Sequence, residues 1–330
     1  MNIKDKFSNA KPEVEKDNVV NFKSEEEWTK INPLVHEKIM AVKLAPTEMV
    51  MSPWLPVQGV SFIYAATGVG KTLFTLNIAY AIAGGGKFLK YQCPKPRKVL
   101  YIDGEMSYKE VYFRYTDIVK QQGELFFKEN FHLFNPEAVL PYKLPKICSP
   151  EGQSFYNYKI KELGIEVLVL DNLSTLSAID ENNSEQWKLI QDWLIDLRSK
   201  GLTIIVVHHA GKDKKGYRGT SRMLDIVNTA ISLQDITGDQ LESEMSANKT
   251  FKIEYQKKRG FSGKDALPFE VSLTDRGWVF QSMESTNLIK ISEMLNNGMR
   301  QVNIARELSI SESYVSKIAK IARRNGMLKE

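Results

Sequence analysis

Five short apolar runs rich in β-branched residues punctuate the middle of the chain: Val60 to Tyr64, Val99 to Ile102, Phe131 to Phe134, Val167 to Leu170 and Thr203 to Val207. Each has strand length and is apolar at most positions, with Ser61, His132 and Thr203 the exceptions, the pattern of strands covered on both faces of a parallel sheet. Between them, Leu73 to Ala83 and Gln186 to Leu197 carry apolar residues at helical spacing. Strand and helix therefore alternate as in a doubly wound α/β domain. After Asn228 to Leu233 the pattern turns to strand-like alternation without helices, through Phe251 to Tyr255, Phe269 to Leu273 and Trp278 to Gln281. These segments predict an antiparallel extension of the same sheet.

The two ends read differently. Up to about Glu27 the chain mixes Lys, Glu, Asp and Asn with scattered apolar residues, too few to bury a core, so residues 1–31 are expected to form a flexible arm. The α/β domain is expected over 32–283, its first strand approached through the proline-punctuated stretch Met51 to Gly59. From Asn287 the composition is helical. Leu288 to Leu295 is amphipathic, Gln301 to Leu308 has one apolar face, and Val315, Ile318, Ala319 and Ala322 recur at i, i+3, i+4 and i+7. Ser311 is placed to cap that last helix. Residues 286–330 thus predict a small all-α domain of helix-turn-helix pattern.

Composition narrows the classes. With 330 residues, 42% hydrophobic, 26% charged and 10% aromatic, the chain is globular, of one large or two modest domains, and neither disordered throughout nor fibrous. No apolar run approaches the roughly 18 residues of a membrane span, and the first residues lack a hydrophobic leader, so a cytoplasmic protein with no membrane partner is expected. Cys93 and Cys148 stand far apart with no neighbouring ligand-type residue, which indicates neither a disulfide framework nor a zinc site. The net charge of +5 is small, but residues 286–330 hold eight Lys or Arg against four acids. A local basic surface suits a polyanion.

Ala65-Ala66-Thr67-Gly68-Val69-Gly70-Lys71-Thr72 follows a predicted strand and opens a predicted helix, the setting of a phosphate-binding loop. Gly68 and Gly70 let successive amides of Ala66, Thr67, Gly68, Val69, Gly70, Lys71 and Thr72 turn inward, and the helix adds its positive end. Lys71 is expected on the β and γ phosphates of ATP and the Thr72 hydroxyl on Mg²⁺. Ala65 stands where the strict pattern has its first glycine. Asp171 ends a central strand and is expected to orient Mg²⁺. Glu105, just after Val99 to Gly104, is expected to polarise an attacking water, with Asp103 its competitor. His208 and His209 end the next strand, where a polar group can sense the γ phosphate; sequence alone does not separate them. The following loop carries Lys212, Lys214, Lys215, Arg218 and Arg222, a candidate grip on nucleic-acid phosphates. An aromatic such as Trp54 is a candidate adenine contact.

With these residues in place, the chain over about 40–280 resembles the RecA-like ATPases, and within them the hexameric plasmid replicative helicases of the RepA type. The resemblance rests on the phosphate loop, Tyr101-Ile102-Asp103-Gly104-Glu105-Met106, Leu168-Val169-Leu170-Asp171-Asn172 and Val206-Val207-His208-His209-Ala210-Gly211-Lys212. It implies that Glu105 is the catalytic carboxylate, Asp171 the Walker B acid, and one of the two histidines the sensor. It also implies that Tyr255-Gln256-Lys257-Lys258-Arg259-Gly260 supplies a neighbouring subunit's ATP site, with Arg259 an arginine finger and Lys257 its companion. The tail resembles the helix-turn-helix units of resolvases and regulators. There Ser313, Tyr314, Ser316, Lys317 and Lys320 would face a groove of duplex DNA and Arg323 and Arg324 its phosphates. The expectation is an ATP- and Mg²⁺-dependent motor on single-stranded DNA, a homo-oligomer and specifically a hexamer. Its rivals are a non-translocating ATPase switch acting on helix-turn-helix binding and a filament-forming recombinase accessory ATPase.

Overall fold

The computed structural model describes residues 32–177, 184–211, 221–237, 249–275, 277–281, 283–324 and 327–328. Two compact units divide the chain, Met1–Thr47 and Glu48–Glu330. Within the first, the helix α1 (His36–Ala41) starts without a side-chain cap and buries none of its residues.

The second unit opens with a hairpin of β1 (Met49–Met51) and β2 (Leu55–Pro56). It continues through β3 (Val60–Ala65), α2 (Lys71–Gly84), the hairpin of β4 (Lys87–Phe88) and β5 (Tyr91–Gln92), β6 (Val99–Asp103), α3 (Tyr108–Gln122) and β7 (Phe131–Phe134). Then come α4 (Pro150–Leu163), β8 (Val167–Asp171), α5 (Leu173–Ser177), α6 (Ser184–Ser199), β9 (Thr203–His209) and β10 (Thr229–Asp235). The last elements are β11 (Lys249–Lys258), β12 (Phe269–Thr274), β13 (Gly277–Gln281), α7 (Met283–Asn296), α8 (Gln301–Glu307) and α9 (Glu312–Arg324).

Nine strands form one sheet in the order β13-β12-β11-β10-β3-β9-β8-β6-β7. From β10 to β7 the neighbours are parallel, and β11, β12 and β13 extend the sheet antiparallel. This is the α/β class read from the sequence, a mainly parallel sheet with an antiparallel extension. Its inner strands are mostly apolar because both faces are covered, with Ser61 buried inside β3. Val99, Tyr101, Val167, Val169 and Ile205 join the core under α2, while Leu100, Ile102, Leu168, Leu170, Ile204 and Val206 join the core that holds Tyr156 of α4 and Trp187, Ile190 and Leu194 of α6.

α3 and α4 are helices that periodicity did not predict. Each leaves most of its surface in water, α3 burying only Val111 and Ile118 and α4 only Gly152 and Tyr156. Their starts are set by caps instead. Ser107 and Glu110 form a reciprocal capping box, and the Ser149 hydroxyl accepts from the Gly152 amide at 3.0 Å.

The three last helices enclose a small core of Ile291, Ile304, Ala305, Val315 and Ile318. Ser311 takes the capping role expected of it, its hydroxyl accepting from the Tyr314 amide at 3.2 Å. No helix among the described residues is long and apolar enough to cross a membrane.

Candidate nucleotide site

The carboxyl ends of β3, β9, β8 and β6 lie side by side, and the register aligns Ala65 with His209 and Asp103 with Asp171. This edge gathers the chemistry. Beyond Ala65 the chain turns through Gly68 and Gly70, at φ of 79° and 90°, conformations that strain any residue with a Cβ. A Cβ built on either would meet nothing within 4 Å. The loop leaves open space beside both glycines at the start of α2, and the positive end of the helix there suits an anion.

Lys71 is the first residue of α2 and is buried, yet its Nζ donates to the carbonyls of Ala65 at 3.1 Å and Ala66 at 3.0 Å. Burial draws its pKa down, opposed by the negative charges of Asp171 and Glu105. An ammonium held by two backbone carbonyls at the loop's mouth is free to exchange them for phosphate oxygens, which carry full charge.

Asp171 is almost wholly buried at the end of β8. Its Oδ2 accepts from the Tyr101 hydroxyl at 2.5 Å, while Oδ1 is buried without a hydrogen-bond partner. Burial pushes its pKa up to about 7; the charges of Asp103 and Glu105 add to the rise, and the Tyr101 and Thr72 hydroxyls oppose it. A buried carboxylate oxygen lacking a partner, beside a hydroxyl, is a hard donor pair that fits Mg²⁺. Among the described residues no three His, Cys, Asp or Glu converge to hold a metal. An ion here would complete its shell with phosphate oxygens and water, the usual habit of Mg²⁺.

Glu105 is exposed, one strand over. The Gly104 amide donates to the Asp171 carbonyl at 2.7 Å, drawing the segment against α5 so closely that a Cβ on Gly104 would lie 2.6 Å from Leu176 Cδ2. Asp103, the competitor for the base, is committed elsewhere. It is buried, accepts from Asn135 Nδ2 at 2.7 Å and from the amides of Glu105 and Met106, and its pKa is raised by burial. It shapes the loop that presents Glu105.

The histidines separate. His208 is fully buried, whereas His209 is half-buried with Nε2 3.2 Å from Asn172 Nδ2. The same Asn172 nitrogen donates to Glu105 Oε2. Asn172 and Tyr101 lie within the motifs that carry the resemblance, though their types alone assign them no role, and nothing in the sequence marks Asn135.

Other expectations fall away from this edge. Trp54 is fully buried, its ring 5.8 Å from that of Tyr91, so it belongs to the core and is not available to adenine. Lys257 and Arg259 do not join the phosphate loop of their own chain. Lys257 pairs with Ala230, next to the start of β10, and the Arg259 amide donates to the Asn228 carbonyl. In the parallel register that end of β10 lies beside Ser61, at the amino end of β3, a strand length from the loop. Lys257 Nζ donates to the Leu224 carbonyl, and Arg259 is exposed.

Lys212, Lys214, Lys215 and Arg218, and the Arg222 side chain, lie outside the described residues. On α9, Val315, Ile318, Ala319 and Ala322 face the core, and Ser313, Lys317, Lys320, Arg323 and Arg324 are exposed. Tyr314 and Ser316 are half-buried, the Tyr314 hydroxyl accepting from Asn287 Nδ2 at 3.4 Å.

A family profile described as an AAA domain matches residues 25–215. No curated protein matches the chain. Among solved structures, the KaiC-like protein PH0186 from the archaeon Pyrococcus horikoshii OT3 superposes with a TM-score of 0.53 at 14% identity, covering 72% of this chain and 100% of that one. At that identity the likeness is one of fold.

Proposed function

We propose, from the premise that the chain belongs to the AAA domain family, that it hydrolyses ATP with Mg²⁺ and uses the hydrolysis to move along single-stranded DNA as a hexameric ring of the replicative helicase type. The observation that carries the reading is the meeting of Gly68, Gly70, Lys71, Thr72, Asp171, Glu105 and His209 at one carboxyl edge of the sheet. The amides of 66–72 and Lys71 bind the phosphates, and Thr72 and Asp171 would hold the metal ion. Bound there, Mg²⁺ would neutralise charge on the β and γ phosphates. Glu105 takes a proton from water as the water oxygen attacks the γ phosphorus and the bond to ADP breaks. His209, bridged to Glu105 through Asn172, is the histidine placed to respond to loss of the γ phosphate.

The ring rests on Arg259. Its place at the far edge of the sheet is wrong for its own chain's phosphates but suits a guanidinium offered to a neighbouring copy, which would make hydrolysis depend on assembly. The exposed basic face of α9 favours duplex DNA as a second contact, through a helix-turn-helix. It also sustains one alternative, an ATPase switch that controls duplex binding without translocation.

Steady-state ATP hydrolysis with and without single-stranded DNA tests the reading, with Lys71→Ala as the control against contaminating activity. Stimulation by single strands, lost in the variant, is expected. Indifference to single strands combined with a response to duplex would replace the motor by the switch.

A further inference from the structure

Asn172 stands between two pieces of the site that are far apart in sequence, Glu105 and His209. It is fully buried. On one side of its carboxamide, Oδ1 accepts from the Thr175 amide at 3.1 Å and lies 3.3 Å from the Thr175 hydroxyl. A backbone N–H can only donate, so this contact fixes which end of the carboxamide is oxygen. The NH₂ group is thereby turned to the opposite side, where it meets Glu105 Oε2 and His209 Nε2. An amide NH₂ has two hydrogens and no acceptor. One serves the carboxylate and the other serves the imidazole, whose Nε2 must then present a lone pair.

We infer that Asn172 is a positioning residue that clasps Glu105 and His209 together, setting the direction of the Glu105 carboxylate and holding His209 as its Nδ1–H tautomer. The inference rests on the ATPase reading of this edge and adds to it a route between base and sensor. Glu105 is exposed, and its carboxylate takes a hydrogen bond from the buried Asn172, so its aim depends on Asn172. The clasp also makes the two groups interdependent. When Glu105 turns toward a water at the γ phosphate, the amide hydrogen it leaves is released, and the hold on His209 changes with it.

Two substitutions separate this role from the simpler one of capping α5. Asn172→Ser and Asn172→Asp both keep an oxygen able to accept from the Thr175 amide, and neither keeps an NH₂ that spans to Glu105 and His209. The expected result is a fall in kcat of about 10- to 100-fold, as for a misaimed catalytic group, with KM for ATP within about threefold. Melting temperatures should stay close to wild type for Asn172→Ser.

A second readout needs neither nucleotide nor turnover. The chain has four histidines, so nitrogen-15 NMR of the nucleotide-free protein, assigned through His209→Gln, reports the His209 tautomer directly. The wild type should show Nδ1–H, and Asn172→Ser should lose that preference. An Nε2–H tautomer in the wild type, or a kcat for Asn172→Ser within twofold of wild type, would overturn the inference. If the wild type turned over no ATP while His209 kept the Nδ1–H tautomer and lost it in Asn172→Ser, the ATPase reading would fail and the clasp geometry would stand.

Discussion

Replacing Asp171 by Asn tests the electrostatics of the site without any ligand. The Asp171 carboxyl titrates near 7 in the folded chain, against an ordinary value of 3.8, chiefly because burial disfavours its charged form. A rise of roughly three units, at about 1.4 kcal/mol each, amounts to about 4 kcal/mol. The sign follows from proton counting. Between pH 4 and 7 the folded state holds the Asp171 proton and the unfolded state does not, so stability falls as pH rises through that window and levels off above about 7. The neutral amide that Asp171→Asn introduces has no such slope. Urea unfolding at half-unit steps from pH 4.5 to 8.5, without Mg²⁺ or nucleotide, should therefore show the wild type losing stability relative to Asp171→Asn by up to about 4 kcal/mol. The variant should be the more stable protein at pH 8. Asp103, whose pKa burial also raises, is present in both chains, so its own burial is common to both, while its charge is part of what raises Asp171. Parallel stability profiles would refute this, because they would mean that Asp171 ionises in the fold as easily as in water.

Three further outcomes are expected. Tyr101→Phe removes the hydroxyl that donates to Asp171 Oδ2; a hydrogen bond to a charged group is worth about 1.5–3 kcal/mol, so the acid limb of the kcat/KM profile should move up by about one to two pH units. Gly104→Ala drives a Cβ into Leu176 and Thr175 and should cost about 1–3 kcal/mol of stability, with turnover falling more than nucleotide affinity as Glu105 is displaced. Replacing Lys317, Lys320 and Arg323 together by Ala should weaken duplex binding and reduce the slope of log affinity against log salt by about three, leaving basal ATP hydrolysis unchanged; an unaltered slope in titrations from about 50 to 300 mM salt would remove α9 from the DNA surface.

The sheet was legible because burial on both faces leaves β3, β6, β8 and β9 mostly apolar, and the phosphate loop because its glycines stand between a strand and a helix. α3 and α4 were not: Tyr115, Ile118 and Val119 of α3 and Tyr156, Ile160 and Leu163 of α4 pack on the core at helical spacing, but exposed Tyr112, Phe113 and Tyr158 blur those stripes. The site was legible at residues whose type alone states a chemistry, such as Lys71, Asp171 and Glu105. It was not legible where the role comes from register. Tyr101 reaches Asp171 only because β6 and β8 are neighbours, and Asn172 joins Glu105 to His209 across 67 and 37 positions of sequence. Trp54 shows the reverse error: an aromatic near the loop in sequence faces the core in space. Arg259 was named from sequence, but its distance from its own chain's loop was not legible, because its edge of the sheet is settled by how β11 pairs with β10.

The proposed mechanism has one edge of the sheet both bind ATP and cleave it, by different residues. Nucleotide affinity and turnover should therefore be measured side by side for Lys71→Ala and Glu105→Gln. Lys71→Ala is expected to lose tight ATP binding, while Glu105→Gln binds ATP within a few-fold of wild type and loses turnover by about 100-fold or more. Turnover by Glu105→Gln within threefold of wild type, or ATP binding by Lys71→Ala as tight as wild type, would contradict that division of labour.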